Sequence, residues 1–269
     1  MTRRVPLNLV VGVVLVGLVA VSALLSLVWL PHDPNAMNFA AQLSGPSAAH
    51  PLGTDQLGRD LLSRTMVGSR GALFVGLVAV SIALVLGCTV GALAGFAGGV
   101  VDDVLMRLVD VLYAFPPILL ALLLAAVYRP GTLTAMSAVG IATTPVFARL
   151  LRASVLELKN REFVEAGRAL GLRERRLLGR HILPNALSPV VVQASLSLAV
   201  AVLAEAALSF LGLGTPPRTP SWGNMLREAQ GFLGLSPYPV LVPGLAIVST
   251  VLGWSLLGDG LRDRLEPRR

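Results

Sequence analysis

Six stretches of this sequence, 9–30, 72–96, 104–127, 132–151, 188–211 and 240–257, are each apolar over about the length that crosses a bilayer. About 20 mostly apolar residues in a helix span the roughly 30 Å of hydrocarbon. The expected fold is therefore an all-α integral membrane protein with six transmembrane helices. Composition agrees, since 54% of the 269 residues are hydrophobic and only 14% are charged, against about 25% charged in soluble domains. The mean hydropathy is +0.74. The first stretch follows Arg3 and Arg4 as a secretory signal would. It is longer than the roughly 7–15 residues of a signal core, and it reads as a retained helix.

A net charge of +7 could serve nucleic acid, but no basic stretch is interleaved with aromatic residues as single-strand binding requires. The positive-inside rule accounts for the charge instead. With the N-terminus inside and six alternating helices, 16 of the 22 Lys and Arg lie on the cytoplasmic side, including Arg3, Arg4, Arg107, Arg268, Arg269 and nine between Arg149 and Arg180. The rest, Arg129 among them, lie outside, so both termini of a multi-pass cell-membrane protein are expected in the cytoplasm. Cys88 is alone, which excludes an internal disulfide. His32, His50 and His181 are far apart in the chain without partners at ligand spacing, and no metal or cofactor is expected.

Two external segments, 31–71 and 212–239, are long enough to have structure of their own. In the first, Thr54 or Asp55 is expected to cap a helix. In the second, Trp222, Met225, Leu226, Ala229 and Leu233 share one helical face. That pattern suits a helix lying in the membrane interface, or a loop with a single helical turn.

The segment 152–187 is the long cytoplasmic loop, between the fourth and fifth spans. Phe163, Ala166, Gly167 and Leu170 recur at i, i+3, i+4 and i+7 as an apolar face, with Glu162, Glu165 and Arg168 on a polar one. Gly171 can end this helix in a left-handed conformation, and a second short helix should run from about Arg173 to Pro184. Small residues at 166, 167 and 169 allow another surface to approach closely.

The wording of this loop, Glu165-Ala166-Gly167, then Gly171, then His181-Ile182-Leu183-Pro184, resembles the EAA loop of ABC-importer permeases. That pattern is Glu-Ala-Ala, three residues, Gly, nine residues, Ile, one residue, Leu-Pro. Here Gly167 replaces the second Ala and His181 stands where Ile is commonest. In that family the loop docks into a cleft on the ATPase subunit. Further stretches are similar to the C-type subunit of dipeptide and oligopeptide permeases. These are His50-Pro51-Leu52-Gly53-Thr54-Asp55 with Gly58-Arg59-Asp60, Phe210-Leu211-Gly212-Leu213-Gly214, Pro220-Ser221-Trp222-Gly223 and Leu257-Gly258-Asp259-Gly260-Leu261-Arg262-Asp263.

The resemblance implies a transmembrane helix with an external segment over 1–71 and a five-helix permease domain over 72–269. It also implies a homologous second permease subunit as heterodimer partner, two ATP-binding-cassette ATPase subunits and an extracytoplasmic solute-binding protein, with short peptides as cargo. Nickel and haem importers share this architecture. No catalysis is expected of the chain itself: its only Lys, Lys159, is not preceded by the glycines of a P-loop, so ATP hydrolysis belongs to separate subunits. A secondary transporter would show paired broken helices from internal repeats, and no repeat is found.

Asp110 and Glu205 fall inside expected spans, where ionisable groups are costly and tend to face a partner or a cavity. Arg107, three residues before Asp110, is positioned to pair with it. Glu205 has no cation at i±3 or i±4. Two roles stay open for it, lining the translocation path or bonding to the partner permease.

Overall fold

The computed structural model describes residues 6–128, 130–216 and 218–265. Arg3, Arg4, Arg129, Arg268 and Arg269 of the charge count lie outside them. The described residues form helices α1 (Leu7–Val28), α2 (Leu61–Ala97), α3 (Gly99–Tyr113), α4 (Pro117–Val127), α5 (Thr132–Lys159), α6 (Glu162–Ala169), α7 (Glu174–Leu177), α8 (Leu183–Phe210), α9 (Trp222–Ala229) and α10 (Tyr238–Leu265). Among them are no strands beyond one isolated bridge between Thr54 and Asp60.

Five helical stretches are long and apolar enough to cross a membrane, and α3 with α4 makes a sixth only as a broken pair, bent by 84°. The expected continuous helix over 104–127 is thus corrected. The break falls at Pro116 and Pro117, which lack the N–H groups that continue a helical ladder. Hydropathy is continuous across the break, so length alone could not reveal it.

Helix α2 begins well before residue 72. Its cap is neither Thr54 nor Asp55 but Asp60, whose Oδ2 accepts the Ser63 N–H at 2.7 Å. At about 1.5 Å per residue, the 37 residues of α2 run roughly 55 Å, well beyond the hydrocarbon layer. At its far end Gly98 and Gly99 have φ of 68° and 54°. This left-handed pair, open to Gly at little cost, turns the chain directly into α3.

The bundle is built on close helix contacts. Gly87, Gly91 and Gly95, one turn apart on α2, face the α5 backbone: a Cβ would lie 2.6 Å from Thr144 O, 2.3 Å from Ala148 O and 3.0 Å from Arg152 O, respectively. Small residues at this spacing let membrane helices approach to backbone contact. Helix α1 lies against α10 in the same manner, with Gly12 over Gly253 and Leu257. Phe147, Leu151, Val155, Val164, Leu177 and Ile182 are all buried in one apolar cluster. The core therefore continues out of α5 into the loop that follows it.

Candidate functional site

That loop is a compact piece of structure. Helix α6 closes with the Leu172 N–H donating to Gly167 O at 3.0 Å and the Gly171 N–H to Arg168 O at 2.9 Å. This reciprocal pair is the Schellman arrangement, which requires a left-handed residue after the cap. Gly171 supplies it at φ 76°. Arg168 then reaches forward to Glu174, at 2.8 Å through Nε and 3.3 Å through its terminal nitrogen. These hydrogen bonds hold the Arg168 guanidinium above its already high ordinary pKa.

The expected second helix does not end at Pro184. Helix α7 passes through a π-helical turn, Leu178–Ile182, straight into α8. Pro184 occupies the first turn of α8, where its missing N–H is tolerated, and Asn185 Nδ2 donates to the His181 carbonyl at 2.6 Å. Ile182 is fully buried; Leu183 is half-buried and Pro184 exposed.

The apolar stripe read from the sequence is divided in two. Gly167 turns inward with Val164, but Phe163, Ala166 and Leu170 point outward, with Phe163 43% and Leu170 82% exposed. Glu162 and Glu165 are exposed beside them. An open groove lined by Leu158, Arg161, Phe163, His181 and Asn185 adjoins this face.

The end of α5, just before the loop, is tied to α2 and α3 by cations. Arg152 makes two hydrogen bonds to Asp102, at 2.5 and 2.6 Å, and Lys159 Nζ donates to Phe96 O at 2.7 Å. Arg149 sits 2.6 Å from Asp110 and stacks over the Tyr113 ring at 4.0 Å. The partner of Asp110 is thus Arg149 on another helix, not Arg107 on its own. Asp102 escaped the sequence reading because its partner lies 50 residues away and no local spacing connects the two.

Glu205 faces neither an open path nor an outer surface here. It is 1% exposed, and its Oε1 accepts from Ser209 Oγ at 2.7 Å and Thr215 Oγ1 at 3.1 Å. The Thr215 carbonyl in turn accepts from Asn224 Nδ2 at 2.8 Å. Glu205 therefore joins α8, the turn after it and α9.

The apolar face of α9 is seated on the protein itself. Trp222, Met225 and Ala229 are buried, Leu226 is half-buried and only Leu233, past the helix, is exposed. Trp222 Nε1 donates to Thr65 O at 3.0 Å on α2. Nearby, Arg59 Nε reaches Asp55 at 2.6 Å, and both Arg59 and Arg64 meet Glu228 of α9. The separation of the histidines is corrected as well. His32 and His50 stand 4.6 Å apart between ring centroids, both at Asp60, while His181 lies apart in the loop.

Membrane-length helices with one broken span, and a folded helical loop between α5 and α8, define the chain as an all-helical membrane protein. The chain belongs to the family of binding-protein-dependent transport system inner membrane components, whose model matches residues 87–269. It is 44% identical over 231 residues to the dipeptide transport system permease protein DppC of Alkalihalophilus pseudofirmus, covering 86% of this chain and 76% of that one. It is 43% identical over 240 residues to the glutathione transport system permease protein GsiD of Pectobacterium atrosepticum, covering 89% and 80%. A solved inward-facing structure of the MetNI methionine ABC transporter shares the fold, with a TM-score of 0.61 at 21% identity over 74% of this chain and 94% of that one.

Proposed function

We propose that this permease is one of two homologous membrane subunits of a peptide importer, and that α6 is where a separate ATPase subunit docks. The division of α6 carries this reading. Val164 and Gly167 lock the helix to its own chain, and the outward stripe of Phe163, Ala166 and Leu170 is left for a partner. A helix that presents an apolar face suits a groove on another protein. A nucleotide-driven change can reach the pore only through a contact whose energy differs between two states.

Short peptides are the proposed cargo, supported by the dipeptide and glutathione names of the relatives, and a solute-binding protein outside the cell would deliver them. The charge distribution favours a cytoplasmic loop and cytoplasmic termini, with 31–71 and 212–239 outside. Two experiments test the reading. In a Cys88→Ala background, an impermeant thiol reagent added outside should label Leu235→Cys, at a position 77% exposed, and spare Asn160→Cys; the opposite pattern overturns the orientation. Glu165→Lys should leave the chain in the membrane but lose copurifying ATPase and ATP-driven peptide uptake. Wild-type uptake would remove the docking role from α6.

A further inference from the structure

At the opposite end of α2 from the loop, a cluster of ligating side chains lies outside the loop and the Glu205 network. His32, His50 and Asp60 all lie in the segment that precedes α2, and each offers a ligand atom within 4.8 Å of the others. His50 Nδ1 is 3.0 Å from Asp60 Oδ1, and His32 Nδ1 is 3.8 Å from that same oxygen. We propose that these three residues bind a divalent transition metal ion of borderline softness, with Zn2+ as the representative case, which staples the segment between α1 and α2 onto the start of α2.

The carboxylate is prepared for this role. Its Oδ2 is occupied by the Ser63 N–H and hydroxyl, each at 2.7 Å, which fixes the group and leaves Oδ1 turned to the imidazoles. The Ser63 hydroxyl oxygen also accepts the His32 backbone N–H at 3.0 Å. One serine thus orients two ligands, the role outer partners play around metal sites. The His50 backbone is likewise held, its N–H donating to Ser47 Oγ at 3.0 Å.

A hydrogen bond alone does not account for the cluster. His50 and Asp60 satisfy one another at 3.0 Å, whereas His32 at 3.8 Å is aimed at the same oxygen from beyond hydrogen-bond range. In a metal site the second imidazole becomes a ligand. Metal–ligand distances of about 2.0–2.2 Å put tetrahedral ligands about 3.3–3.6 Å apart, and the two His–Asp60 separations of 3.0 and 3.8 Å bracket that spacing. Two imidazoles with one carboxylate suit Zn2+ or a neighbouring transition metal, not Ca2+ or Mg2+, which take oxygen ligands. The Asp60 side chain is 0% exposed, His50 17% and His32 41%, so an ion can enter past His32 and keep a fourth position for water.

The test uses the full chain in detergent, carried on a histidine-free affinity tag and stripped with chelator. Titration with ZnCl2 by calorimetry should show one ion per chain, CoCl2 should develop the visible absorption of tetrahedral Co2+, and Zn2+ should raise the unfolding midpoint. His32→Ala and His50→Ala should each weaken binding by at least about tenfold, and His181→Ala should not change it. His32→Ala removes a partly exposed side chain, and an unaltered metal-free unfolding midpoint certifies its fold. If no stoichiometric Zn2+ binding is seen, or if binding survives both His32→Ala and His50→Ala, the proposal fails and the cluster is a hydrogen-bonded support for the segment.

Discussion

The backbone of Gly167 lies so close to Leu177 that a Cβ at position 167 would sit 2.7 Å from Leu177 Cδ2. The two short helices of the loop are thereby held as one body, and Gly in place of the Ala of the resembled EAA pattern has a local cause. Leu177 is itself 1% exposed within the core cluster, so the loop is packed onto the ends of α5 and α8.

Gly167→Val should force these helices apart. Overpacking of this kind costs about 1–3 kcal/mol, and ATP-driven uptake should fall while the amount of subunit in the membrane stays constant. Gly167→Val with Leu177→Ala should recover much of the loss, because the second change vacates the contested space. Uptake assays in membrane vesicles beside immunoblots compare the variants, and full uptake by Gly167→Val would contradict the rigid-loop account.

Gly171 offers a graded series. At φ 76° an alanine is strained by about 1–2 kcal/mol, whereas proline, fixed near −65°, cannot adopt the conformation at all. Uptake should decline from wild type to Gly171→Ala and be abolished in Gly171→Pro. Membrane insertion should be equal in all three, since the apolar spans are untouched. Equal uptake by the two variants would argue against the turn as the determinant.

Glu205 is expected to act through stability. Glu205→Gln retains a carbonyl oxygen to accept from Ser209 and Thr215, and should lower the unfolding midpoint little. Glu205→Ala leaves both hydroxyls without their acceptor and opens a cavity, a change worth about 2–5 kcal/mol for large-to-small core substitutions. Thermal unfolding of purified subunit distinguishes them. A Glu205→Ala protein of unaltered stability that fails to transport would restore a path-lining role for the carboxylate.

Helix α9 supplies a packing test. At Gly223 a Cβ would meet Ala206 O at 2.1 Å, a backbone atom that cannot rotate away, whereas at Gly231 nothing lies within 4 Å. Gly223→Ala should lower the yield of folded subunit sharply and Gly231→Ala should not, as read by fluorescence-detected size-exclusion chromatography. Equal yields would show that α9 is not seated on α8 as described.

What was legible in the sequence shares one property: each signal is contained within a short run of residues. A span is a run of apolar side chains, and the lipid sorts it by length and composition alone. The close of α6 needs only residues 167–172, so Gly171 announces its left-handed turn without reference to the rest of the chain. The bend at Pro116 and Pro117 is also written locally, but hydropathy does not register a missing N–H, and the apolar pattern alone implies a straight span.

The partners of the charged residues were decided elsewhere. Asp102 finds Arg152 50 residues on, and Asp110 finds Arg149 39 residues on, through the rotation of α3 against α5. Whether Phe163 or Val164 faced inward depended on where Leu177 came to lie, a question of tertiary contact that a periodic stripe leaves open. The same holds for His32, His50 and Asp60, gathered by the folding of the segment before α2. The sequence by itself determined which segments enter the membrane and where the helices turn, because lipid and backbone act on neighbouring residues. Only the tertiary structure decided which side chains meet, because the distance between remote residues is set by the relative rotation and approach of whole helices.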